Sequence, residues 1–154
     1  NLALAIDKLQ AGIASNPGSY ELATELGGAY LAARQDDKAL ATVDRLIGGK
    51  DFGAAPVDDR VGLTLVSGKA QYNLGKLAVA RQRFEAAAQL RPKDTQIQRV
   101  LIETINAQAW AAYGKDEGGA GLRDRGAGEE GGEGEDEESG ASGHASWTRK
   151  HRRG

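Results

Sequence analysis

Cysteine is absent from this sequence, which removes disulfides, thiolate nucleophiles and cysteine-based metal sites. Histidine is almost as scarce: the two copies, His144 and His151, both lie near the C-terminal end, so the first 143 residues offer none for a catalytic triad or a metal. No apolar run approaches the roughly 18 residues that a membrane-spanning helix needs. Methionine is missing as well, and Asn1 is followed at once by amphipathic sequence with no leader pattern. The chain therefore reads as a piece of a longer protein or a processed product, with any targeting signal expected outside it. That leaves cytoplasm and bacterial periplasm equally open. The formal net charge of −2 points to no partner by itself.

What is present is helical periodicity. Leu2, Ile6, Leu9 and Ile13 share one face. Leu22, Leu26, Ala29, Tyr30 and Ala33 share another, and after the polar break Arg34–Lys38 the pattern resumes at Ala39, Leu40, Val43, Leu46 and Ile47. Leu63, Val66, Ala70 and Leu74 form a further stripe, and Ile97, Val100, Leu101 and Ile105 the last one. Asn16-Pro17-Gly18-Ser19 and Pro92-Lys93-Asp94 are turns, because proline cannot continue a helix. Ser19 is positioned to cap the helix that follows. The spacing predicts six helices between Leu2 and Tyr113 and no strand. The acid pairs Asp36/Asp37 and Asp58/Asp59 fall at helix starts and are expected as N-caps rather than catalytic carboxylates.

Within these stripes, Leu26-Gly27-x-x-Tyr30 followed by Ala39-x-x-x-Val43 resembles the signature of the tetratricopeptide repeat (TPR), with Ala23 and Val43 in place of its Trp and Phe. Gly68, Ala80, Phe84, Ala87 and Pro92 fall on signature positions again. Ala5 and Ala39 stand 34 residues apart, one period of that family, and both Ala5–Pro17 and Ala80–Pro92 span 12. The second interval, Ala39 to Ala80, is 41 residues, so Gly48–Asp59 carries an insertion. The resemblance implies an all-α fold of antiparallel helical hairpins stacked as a right-handed α-solenoid. Its parts are a half repeat over 1–17, repeats over 18–50 and 60–93, and a terminal helix over 94–113, either the start of a third repeat or a cap. It also implies close helix approach at Gly27 and a left-handed turn at Arg34, where the family usually has Gly. Gln71 departs from the signature Tyr, with Tyr72 beside it.

From Gly114 the composition changes. Residues 114–154 hold 12 of the 22 glycines and a single Leu, Ile or Val, with an acidic block at Glu129–Glu138 and a basic one at Arg149–Arg153. Such a segment buries too little apolar surface to offset its ordering entropy and is expected to be disordered; an out-of-frame or artificial stretch is the other reading. Gly126-Ala-Gly128-Glu-Glu-Gly131 matches a dinucleotide fingerprint but lacks the flanking strand and helix. The basic end admits an acidic partner, an import receptor or nucleic acid; a solvated end is the commoner meaning of such a cluster, and nucleic acid binding is not expected.

No cofactor, metal, small-molecule substrate or catalytic residue is expected. By resemblance to TPR proteins, function lies in a concave groove that takes a peptide segment of a partner protein. The groove candidates are Thr24, Gly28 and Leu31 on the first hairpin, Leu65, Lys69, Tyr72 and Asn73 on the second, and Arg99, Glu103 and Asn106 on the last helix. The places used by carboxylate-clamp TPRs fall on Thr24 and Gly28, so that ligand class is not expected. Lys69, Tyr72 and Asn73 recur at i, i+3 and i+4 and so share one helix face. Tyr72 has a competing reading, as a core residue replacing the missing signature Tyr. The wider setting is either an interaction scaffold, the docking module of a larger enzyme, or a bacterial envelope or polysaccharide-export assembly.

Overall fold

The computed structural model describes the backbone of residues 1–123 and the side chains of residues 1–116. The tail features from residue 124 onward, including both histidines, the glycine motif and the two charge blocks, lie outside the described residues. Two units divide the chain, Asn1–Glu117 and Gly118–Gly154.

Six α-helices follow in order: α1 (Leu2–Ser15), α2 (Tyr20–Ala32), α3 (Asp36–Ile47), α4 (Val57–Asn73), α5 (Leu77–Leu90) and α6 (Thr95–Arg123), with a 3-10 turn at Phe52–Ala54 between α3 and α4. No strand occurs among the described residues. Short turns fold α2 against α3 and α4 against α5 as antiparallel hairpins, while α2 and α4 also lie against each other.

Small residues set the distance between helices. Ala39 and Ala80 are fully buried. A Cβ added to Gly27 would lie 2.7 Å from Val66 and 3.1 Å from Val43, and one added to Gly68 would lie 2.6 Å from the Phe84 ring. The close approach expected at Gly27 is therefore present at both hairpins. Around these crossings the main core gathers Leu26, Tyr30, Val43, Leu63 and Val66, against which Ile6, Leu9 and Ile13 of α1 pack. A second cluster, Val61, Ala87 and Ile97, seats α6.

The two turns share one left-handed conformation and differ in the residue that adopts it. Gly75 ends α4 at φ +77, and Arg34 adopts φ +60 at the equivalent point, a conformation that costs an L-residue roughly 1–2 kcal/mol. Ser19 caps α2 by accepting from the Leu22 amide at 3.2 Å. Asp94 does the same for α6, accepting from Gln96 and Ile97.

Four expectations need correction. Asp36/Asp37 and Asp58/Asp59 are not caps: the N-cap positions belong to Gln35 and Pro56, which make no side-chain cap bond, and the acids occupy the first turn. There they act on the helix dipole rather than on individual amides. Helix α4 begins at Val57, three residues ahead of Arg60, because Pro56 presets the entry. Ile105 is 37% exposed, and Thr104 is buried instead; its hydroxyl donates to the Val100 carbonyl at 2.7 Å, which removes the cost of burying it. Finally, α6 does not stop at Tyr113 but continues to Arg123. No proline interrupts it, and elongation of a nucleated helix adds one bond per residue, against a cost of about 1 kcal/mol at each glycine.

Candidate functional site

The first helices of the hairpins position the site. On α4, the buried residues Gly68, Ala70 and Gln71 face neighbouring helices, which leaves Lys69, Tyr72 and Asn73 exposed on the opposite side. Gln71 thus keeps the signature position and Tyr72 is turned outward. The Gln71 side-chain amide oxygen is buried without a protein hydrogen-bond partner. On α6, Ile97 is anchored in the second cluster, and that rotation presents Val100, Glu103 and Thr104 toward α4.

These two triplets, both at i, i+3 and i+4, form the walls of one cleft of about 120 Å³. Phe84 of α5 is its floor and is 2% exposed. The Thr104 hydroxyl is spent within its own helix, so the lower part of the cleft is apolar. The mouth is polar and two-signed, with Lys69 and Asn73 on one wall and Glu103 on the other. Asn73 is held in place because its side-chain amide nitrogen donates to Asp36 at 2.7 Å. Its lining contains no Ser, Cys or His.

Of the ten groove candidates, Lys69, Tyr72, Asn73 and Glu103 come together here. The other six lie off this lining. Thr24 bonds back to the Tyr20 carbonyl at 2.9 Å and is wedged against Gly62 of α4. Gly28 is half-buried and faces open space. Leu31 packs on the main core and Leu65 on the second cluster. Arg99 and Asn106 are exposed elsewhere on α6. Sequence reasoning missed Val100, Thr104 and Phe84, whose part depends on how α6 docks.

Two larger openings lie elsewhere. One, about 290 Å³, runs between α1 and α3 beside Tyr30, whose ring carries the Lys38 ammonium at 5.7 Å and whose hydroxyl accepts from Gln10 at 2.6 Å. The other, about 430 Å³, lies between the start of α5 and the later part of α6. The first is also lined by a buried ring, Tyr30, and the second by no aromatic residue. Among the described residues no acid or histidine group of three or more could hold a metal, and no helix is long and apolar enough to cross a membrane.

The architecture matches a solved structure, the first TPR domain of the human RPAP3 protein, determined by NMR. The match has a TM-score of 0.62 at 20% identity and covers 70% of this chain and 80% of that one. The fold is that of tetratricopeptide repeats. No protein-family model matches the sequence, and no curated protein does. The two complete hairpins of this fold are α2/α3 and α4/α5, with α1 before them and α6 after them.

Proposed function

We propose that this TPR domain is a protein-interaction module that holds a peptide segment of a partner protein between α4 and α6. The cleft is the observation that carries this reading: exposed Lys69, Tyr72, Asn73 and Glu103 around an apolar floor at Phe84. A ring with a rigid body and a polar tip, next to a cation and an amide, suits capture of a peptide with an apolar anchor. The chemistry is shape and side-chain complementarity, without bond making or breaking. It serves an independent scaffold, the docking part of a larger enzyme or an envelope assembly protein alike.

The test begins with selection of displayed 12-residue peptides on the full chain. Enriched peptides should share one aliphatic or aromatic position. Tyr72→Ala should weaken them by about 2 kcal/mol or more, roughly thirtyfold. Because Tyr72 is 38% exposed, the melting temperature should barely move. Equal binding by the variant, or a selection that enriches nothing, would reject the reading.

A further inference from the structure

Lys69 and Glu103 line one cleft with opposite charge, and both are exposed. Among the described residues neither has an ion-pair or hydrogen-bond partner, and they do not pair with each other. Arg99 stands one turn before Glu103 on α6 and does not engage it either. Asp36 meets the α4 wall through Asn73, whose side-chain amide donates to its Oδ1 at 2.7 Å. The mouth of the cleft therefore presents one uncommitted cation and one uncommitted anion, on opposite walls of an apolar floor.

The two charges hold the same position on their helices. Lys69 and Glu103 stand 34 residues apart, one TPR period. The same offset relates buried Leu63 to buried Ile97, and buried Ala70 to buried Thr104. A line from Lys69 to Glu103 thus runs across the helices rather than along either one. Helices packed side by side lie about 8–10 Å apart, which matches about three residues of extended chain at roughly 3.3 Å each. Gly28 stands 41 residues before Lys69, the offset that also relates Gly27 to Gly68. It has no side chain to offer, so selection by charge is confined to the step from α4 to α6.

Building on the peptide-binding role proposed above, we propose that the ligand is a dipolar segment. An apolar residue sits on Phe84, an acidic residue on one side of it meets Lys69, and a basic residue on the other side meets Glu103. The two charges are about two to four residues apart, as the helix spacing requires. A uniformly acidic segment satisfies Lys69 and is repelled by Glu103; a uniformly basic one does the reverse. An uncharged segment covers both groups and pairs neither, a desolvation cost that the dipolar segment offsets. The rim pairs remain close to solvent, so each contributes about two- to fivefold in affinity, and the anchor carries the rest.

Two selections of displayed 12-residue peptides test this, one on the full wild-type chain and one on Lys69→Glu with Glu103→Lys. The exchange keeps the net charge and the apolar floor, and at exposed positions it should leave the melting temperature unchanged. Wild type should enrich an apolar residue bracketed by an acid and a base in a fixed order along the peptide. The exchanged variant should enrich the same bracket in reverse order. A peptide selected on wild type should bind the variant at least fivefold more weakly in about 0.05 M salt, and the gap should shrink in about 0.5 M salt, where screening is stronger. Anchored peptides without bracketing charges, with charges of one sign, in no fixed order, or in an order that survives the exchange would overturn the dipolar ligand and leave the peptide-binding role standing. A wild-type selection that enriches nothing would overturn both.

Discussion

The two complete hairpins solve one packing problem with their bulk on opposite helices. In the first, the ring belongs to the first helix, as buried Tyr30, and Val43 fills the facing position on α3. In the second, the first helix carries Gln71 at that place and the ring has moved across to Phe84 on α5. Glycine and alanine stay put: Gly27 and Gly68 at the crossings, Ala39 and Ala80 fully buried opposite them. What the fold fixes is the closeness of the helices. The filling volume is free to come from either side.

The sharpest way to break this comparison is to remove the filling residue from each hairpin. Phe84→Ala should cost about 3–5 kcal/mol. Val43→Ala removes only two methyl groups and should cost about 2 kcal/mol, from transfer plus a small cavity. Urea unfolding of the two variants should separate them; equal losses would mean that α5 does not carry the bulk of its hairpin. Next comes the shared feature. Ala80→Leu and Ala39→Leu should each overpack the crossing and cost about 1–3 kcal/mol. A thermal melt unchanged within error for either would show that the helices do not need to approach there.

The turns predict effects of opposite sign. Gly75→Ala forces a Cβ into φ +77 and should destabilise by about 1–2 kcal/mol. Arg34→Gly relieves the same strain at φ +60 and should stabilise by up to about 1 kcal/mol, reduced by the entropy glycine adds to the unfolded chain. Matching signs would show that the turns are not equivalent. The smallest effect is expected at Arg81→Ala. Its pair with Glu85 is exposed on both sides, 2.8 Å long within one helix, so the change should stay below about 0.5 kcal/mol.

The repeats were readable because their determinants are local. Small residues at Gly27, Ala39, Gly68 and Ala80, the Ser19 cap and the breaks at Pro17 and Pro92 each act within one or two turns of chain. The cleft was readable only by half. Lys69, Tyr72 and Asn73 follow from the rotation of a single helix, which Gly68 and Ala70 fix. The opposite wall depends on how α6 is rotated, and that is set by a buried threonine. Thr104 reads as polar, so the sequence places the packed stripe toward Ile105, and Arg99 and Asn106 are assigned to the groove side. Because Thr104 satisfies its hydroxyl on Val100, it can take the inward position, and the helix turns so that Val100 and Glu103 face the cleft instead. The run of α6 past Tyr113 was hidden for another reason: composition argues for a tail, while helix elongation is a cooperative property of what precedes it.

The insertion between the hairpins is a detachable length of chain in the packing sense. Gly48–Pro56 carries about seven residues beyond one repeat period, roughly 23–25 Å of contour if drawn straight. Phe52 packs on the main core with its ring 6.2 Å from that of Tyr20, and Ala55 is buried. Backbone bonds from Phe52, Ala54 and Ala55 hold the coil itself. Because the buried crossings at Ala39 and Ala80 lie outside it, a change in its length costs loop-closure entropy and leaves the packing of both hairpins in place.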